Sequence, residues 1–255
     1  MQHAQAMVVE EVVNFSQYPL GDPEFTARCK SEIDDNGVLV LPSFLLPVAI
    51  KSIRAEGEAN KHLAYYTTSK HNLYLSLSDP AFPIDHARNR QVSSSKGCIT
   101  TDQIPSGSGL QVLYRDESFK AFLCNVLSEA RLYEYADPLS SINLHFAEHG
   151  QELGWHFDNS SFAITLLIEK PEAGSRFEYM KDLRDADAKG TEREMNYEGV
   201  AAMLDGETQP QVLEMEPGAL VLFRGRNSIH RVSPNESDKT RMHPTLVGRT
   251  HVRTA

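Results

Sequence analysis

Apolar positions recur at helical spacing in the first half of the chain and at strand spacing in the second. Residues 37–42, Gly-Val-Leu-Val-Leu-Pro, form a short apolar run bounded by Gly and Pro, which reads as a buried strand. Pro47 suits the first turn of a helix, and Ile50, Ile53 and Leu63 keep near-helical spacing, which predicts a helix to about Thr67. Residues 116–130 predict an amphipathic helix capped by Asp116, with Phe119, Phe122, Leu123, Val126 and Leu127 on one stripe. Short strands follow at 141–146, 162–169, 176–179, 211–215, 219–224 and 229–232, with a helix at 196–204 closed by Gly206. The first 30 or so residues read as an irregular or partly helical lead-in.

Helices first and closely spaced antiparallel strands afterwards predict an α+β, mainly β fold. The expected architecture is a double-stranded β-helix (jelly roll) buttressed by N-terminal helices. A length of 255 residues suits one domain. Residues 1–130 are expected to supply helical support and a lid loop, and residues 131–255 the jelly-roll core. The lid is assigned to the turn-rich stretch 78–109, since a long irregular segment in a compact domain usually serves binding or closure. A meandering surface connection is the plainer alternative.

Composition narrows the function. Hydrophobic residues make up 40% of the chain, enough for a core, yet no apolar run approaches the length of a membrane span. The N-terminus shows no signal-peptide pattern, and a cytoplasmic protein is expected. A net charge of −10 and the absence of any basic tract longer than a pair argue against a nucleic-acid partner. Cys29, Cys98 and Cys124 are few and far apart, the pattern of reduced thiols and not of a disulfide framework.

Candidate chemistry centres on His156-Phe157-Asp158. Side chains two apart on an extended segment point to one side, so His156 and Asp158 can face a common ion. His230 follows a tight turn and a buried strand (216–223), a placement that brings a second imidazole to the same barrel mouth. Two imidazoles and a carboxylate with open positions opposite form the facial triad of non-haem Fe(II) oxygenases. Gly154-Trp155 leads into the motif, and the apolar run 162–168 follows it as a buried strand would.

The stretches YADPLSSINLHFAEHGQELGWHFDNSSFAITLLIEKPEAGSRFEYM and MEPGALVLFRGRNSIHRVSP resemble the Fe(II)/2-oxoglutarate oxygenase superfamily. More narrowly they resemble the branch of free-amino-acid radical halogenases and their hydroxylase relatives, as does DPAFPIDHARNRQVSSSKG upstream. The resemblance implies Fe(II), 2-oxoglutarate and O2 as cofactors, with His156, Asp158 and His230 as iron ligands. It implies Arg241 as the partner of the distal carboxylate of 2-oxoglutarate, and Asn143 as a further cosubstrate contact or a strand residue satisfied by its neighbours. Halogenases of this branch carry a small residue where Asp158 stands, so the resemblance implies hydroxylation of an unactivated C–H, with succinate and CO2 released. The expected substrate is a small polar metabolite, a free amino acid or a derivative. A carrier- or peptide-bound substrate, or a non-catalytic metal-holding jelly roll, are the alternatives.

Other residues invite a role. Trp155, Asn159, Arg224 and Arg226 are candidates for substrate contact, each with a packing or solvated-surface alternative; Asn159 and Ser160 stand where lysine-acting relatives would carry an acid. Arg88 and Arg90 share the ambiguity of Arg224. His145 and His149 share a strand face, but Gly150 and the acidic turn complete no ligand set. Pro244 cannot donate to a ladder, so the strand after Arg241 is expected to be shortened or displaced, leaving Arg249 as a second candidate anchor.

Overall fold

Helix boundaries follow the caps that the sequence supplies. The structure, a computed structural model, describes residues 7–134 and 139–249. A short α1 (Val9–Val12) precedes α2 (Pro23–Asn36), where Asp22 accepts from the amides of Glu24 and Phe25 at 2.7 and 2.9 Å. Gly37 closes α2 at φ 72°, a left-handed conformation that costs a residue without Cβ little. The lead-in is therefore more helical than its sequence suggested. α3 (Pro47–Asn60) starts at Pro47 as expected but ends well before Thr67. A single 3-10 turn follows, and then Tyr65-Tyr66-Thr67-Thr68, aromatic and β-branched, begins a strand instead.

α4 (Gly109–Arg115) and α5 (Glu117–Leu127) complete the support, with Asp116 capping the amide of Phe119 at 2.8 Å. The predicted stripe of α5 is buried throughout, and its Phe122 stacks on Phe25 of α2 with ring centroids 5.7 Å apart. Rings buried this way contribute about 1.5–3 kcal/mol each by area alone. They fix the two helices to each other.

The strands are β1 (Val38–Leu41), β2 (Tyr65–Asn72), β3 (Gln91–Ile99), β4 (Tyr133–Glu134), β5 (Ile142–Ala147), β6 (Leu153–His156), β7 (Ala163–Leu166), β8 (Phe177–Met180), β9 (Gln211–Leu213), β10 (Leu220–Phe223), β11 (Ile229–Val232), β12 (Arg241–Leu246) and β13 (Gly248–Arg249). Between β8 and β9 lie α6 (Glu192–Met195) and α7 (Tyr197–Leu204), the latter matching the predicted helix. Eleven strands form one antiparallel sheet in the order β1-β10-β7-β12-β5-β3-β6-β11-β8-β9, with β2 on β3; β4 and β13 pair separately. The curled sheet is the jelly-roll core expected from the sequence.

Two expectations need correction. The stretch 78–109 is not irregular throughout: Gln91–Ile99 is β3, which pairs with β5 at 97–99 and with β6 at Ser94 and so joins the two halves of the roll. β2 and β3 thus come from stretches read as helix and lid, whereas β1 is the strand expected at 37–42. The strand after Arg241 is neither short nor displaced, since β12 pairs with β5 along its full length and with β7 at Thr245 and Leu246. Met242 donates its amide to Glu169 on the β7 side, and strand alternation puts the Pro244 nitrogen on that same side. There the pairing steps from Met242↔Glu169 to Thr245↔Thr165, an irregularity that spares Pro244 a donor.

Candidate metal centre

His156 and His230 are register partners across β6 and β11, and Asp158 follows just past the end of β6. Phe157 between the two ligands turns the other way, fully buried and stacked on Tyr74 with centroids 5.5 Å apart. The backbone is pinned on both sides of Phe157. The amide of Phe157 donates to Leu73 O at 2.8 Å and that of Asp158 to Gly225 O at 3.0 Å.

The three ligand atoms converge. Asp158 Oδ1 lies 3.6 Å from His156 Nε2 and 3.7 Å from His230 Nε2, and the three groups offer atoms all within 4.8 Å of one another. Ligands sharing an ion at about 2.1 Å stand no more than about 4.2 Å apart. The Nδ1 of each imidazole faces a carbonyl two residues back, His156 to Gly154 O at 2.8 Å and His230 to Ser228 O at 3.1 Å. A carbonyl only accepts, so each Nδ1 carries the proton and each Nε2 turns a lone pair inward.

Charge states suit a cation. Burial, then the neighbouring His156, pull His230 down to about 4 against the opposing pull of Asp158 and the Ser228 carbonyl, so the ring is neutral at pH 7. Burial pushes the Asp158 carboxyl up, but the His156 contact and the charges of His230, His156 and Lys96 outweigh it and hold the group below its ordinary value. The second oxygen, Oδ2, is buried without a hydrogen-bond partner. Two inward lone pairs, an ionised carboxylate and an orphaned oxygen fit a divalent first-row metal.

A cavity of about 410 Å³ opens beside the triad. Arg241 lines it, buried, with one guanidinium nitrogen donating to Ser175 O at 3.2 Å and Nε unpartnered. Burial lowers its pKa to about 10, which leaves it a cation. Lys96 on β3 and His243 on β12 line it too without having been singled out in the sequence, and so does His145 on β5, which was weighed there only as a partner of His149. Strand parity could have found two of them, because His243 and Arg241 share a face and His243 pairs with His145. His149 sits exposed in the turn after β5, away from His145.

The other candidates lie elsewhere. Trp155 is buried in a second core cluster with Arg231 4.7 Å over its ring. Arg224 pairs with Asp34 at 2.6 Å and Arg226 with Asp187 at 2.9 Å. Asn159 and Ser160 are exposed. Asn143 donates to Ser140 O at 3.3 Å, and its carbonyl accepts a 3.8 Å contact from Cys98 Sγ. Arg90 pairs with Asp205, and Arg88 packs on Tyr74. The Arg249 backbone pairs with Tyr133, and its side chain lies outside the described residues.

Comparison with known proteins agrees with this geometry. A family model described as Halogenase D matches residues 22–247. No curated protein sequence matches the chain significantly. Among solved structures, an oxidoreductase of the 2OG-Fe(II) oxygenase family from Burkholderia pseudomallei superposes with a TM-score of 0.53 at 11% identity, covering 89% of this chain and 91% of that one. A Pseudomonas putida prolyl-4-hydroxylase gives 0.51 at 12%, covering 89% and 100%. The epimerase SnoN of nogalamycin biosynthesis, whose structure has been solved with Fe3+, alpha ketoglutarate and nogalamycin RO, gives 0.57 at 12%, covering 89% and 84%. At such identities the likeness establishes the fold.

Proposed function

The chain belongs to the halogenase D family, within the Fe(II)/2-oxoglutarate oxygenases, and from that premise we propose that it is a hydroxylase. Its substrate in this reading is a small polar metabolite, a free amino acid or a derivative. The observation that carries the reading is the carboxylate of Asp158 between His156 and His230. A halide can join the metal only at a position the protein leaves open, and here a side chain with its own anion would fill that position.

His156, Asp158 and His230 would hold Fe(II), and Arg241 would receive the distal carboxylate of 2-oxoglutarate, with donors matched to a carboxylate's two oxygens. The bound iron supplies oxygen activation coupled to decarboxylation of the cosubstrate. The protein supplies orientation and dryness. Phe177, Val221 and Phe223 give the cavity an apolar wall that keeps bulk water from the metal side. A cavity of about 410 Å³ that must hold cosubstrate and substrate together favours a small molecule over a peptide.

Anaerobic titration of Fe(II)-loaded protein with 2-oxoglutarate tests the cosubstrate site through its visible charge-transfer band. Aerobic turnover with a panel of amino acids in chloride-containing buffer tests the reaction. We expect succinate and a product heavier by one oxygen. A product with chlorine in place of hydrogen would refute the hydroxylase reading.

A further inference from the structure

Only three charged side chains line the cavity among the described residues: Asp158, Arg241 and Lys96. The proposed chemistry uses the first two. Lys96 forms no ion pair or hydrogen bond with any described residue, and burial lowers its pKa against the opposing pull of Cys98 and Asp158. A cation carried to the wall of a cavity with no anion in contact calls for one from outside the chain.

The strand register places this cation. Cys98 of β3 pairs with His145 of β5, which pairs on its other side with His243 of β12. By alternation, Lys96 shares the face of Cys98, and Arg241 shares that of His243. One step along, Gly97 pairs with Phe146 and Arg241 with Ala147, so Lys96 and Arg241 flank the small Ala147 from opposite sides. His145 and His243 lie across the floor between them, each half-buried, with a buried Nδ1 that lacks a partner. Burial holds both rings neutral, His145 under Lys96 and His243 under Arg241 as well. The charge of Lys96 acts on Asp158, whereas that of Arg241 is not among those that do. β3 also pairs with β6, the strand of His156, whereas β12 is separated from β6 by β5 and β3, so Lys96 is the cation on the metal side and Arg241 the remote one.

Charge balance points the same way. A divalent metal, Asp158, the two cations and a dianionic cosubstrate together leave one positive charge uncompensated in the cavity. One further carboxylate would neutralise it. We propose that Lys96 is the anion-recognising residue of the substrate subsite, so that the substrate is a carboxylic acid whose carboxylate lies against Lys96 while Arg241 holds 2-oxoglutarate. This rests on the oxygenase reading above.

Two anaerobic titrations of Fe(II)-loaded protein separate the possibilities, using Lys96→Met and Arg241→Met, which keep length and remove charge. The first follows the 2-oxoglutarate charge-transfer band. We expect Arg241→Met to weaken cosubstrate binding and Lys96→Met to leave it unchanged within error, which also shows that the variant is folded. The second adds the proteinogenic amino acids, or their α-carboxamides, to protein saturated with 2-oxoglutarate and follows the shift of the band. At least one acid should shift it and its carboxamide should not, and Lys96→Met should raise that acid's half-saturating concentration by at least about thirtyfold. Cosubstrate binding weakened by Lys96→Met, an amide binding as well as its acid, an acid unaffected by Lys96→Met, or no acid acting at all would each overturn the assignment. Wild-type protein that gives no band with 2-oxoglutarate overturns the oxygenase reading, a failure seen before any acid is added.

Discussion

Gly225 lies so close to Asp158 that no other residue fits: a Cβ built on it would collide with the carboxylate Oδ2 and come within 2.9 Å of His230 Cε1. The same glycine accepts the Asp158 amide through its carbonyl at 3.0 Å. One residue therefore sets both the backbone and the carboxylate of a ligand. Gly225→Ala is expected to push Asp158 out of line with the two imidazoles and weaken Fe(II) binding by about 10–100-fold, the usual cost of disturbing the support of a metal ligand. Iron stoichiometry after dialysis, with circular dichroism as a fold control, checks this; full iron retention would refute it.

Asp158 is also the residue on which the reaction type turns. Asp158→Gly removes the anion and opens a coordination position beside His156 and His230. We expect hydroxylation to be lost and the 2-oxoglutarate charge-transfer band to become sensitive to chloride, which wild-type protein should ignore. A chloride-sensitive wild-type band would contradict the role given to the carboxylate.

Much of this centre was legible in the sequence. The His-x-Asp pair and the distant His230 announce themselves because alternation on a strand is local and ligand types are few, whereas Arg241 came from the family resemblance. The helices with strong caps, α2 excepted, and the apolar strands β1, β5, β7 and β10 read directly for the same reason. β3 did not. Its Ser93-Ser94-Ser95-Lys96 lacks the apolar alternation of a half-buried strand because the cavity face wants polar groups, so a wall of the site looked like a loop. Pro244 misled in the opposite direction. Its missing donor falls where the pairing of β12 with β7 shifts, which only the assembled sheet reveals.

Support for His156 comes from a chain of hydrogen bonds that starts on β2. The His71 Nδ1 donates to Asn72 O at 3.0 Å, so its Nε2 accepts from the Ser94 hydroxyl at 2.7 Å. Ser94 Oγ in turn accepts the Gly154 amide at 2.9 Å, and Gly154 O receives the His156 Nδ1 proton. Ser94→Ala leaves that amide unsatisfied and loosens the carbonyl that orients the ligand. We expect Fe(II) affinity to drop by about tenfold with little change in fold. Unaltered affinity would show that β6 alone fixes the ring.

Acid should destabilise the metal-free protein well before its carboxylates titrate. His145, His230 and His243 are held neutral by burial, whereas in the unfolded chain imidazoles bind protons below about pH 6.5. The unfolded state then carries more protons than the folded one, so stability is fully present above that pH and is lost as pH falls toward the folded values. For His230, whose folded value is about 4, the loss is at most about 3 kcal/mol by pH 4. Thermal melts of chelator-treated protein should show Tm falling between pH 7 and pH 5. The double variant His145→Gln/His243→Gln should flatten that dependence, because it removes two of the four imidazoles, His71 included, whose pKa burial lowers. A Tm independent of pH in the wild type would mean that these imidazoles are hydrated, and that the cavity is wetter than its lining implies.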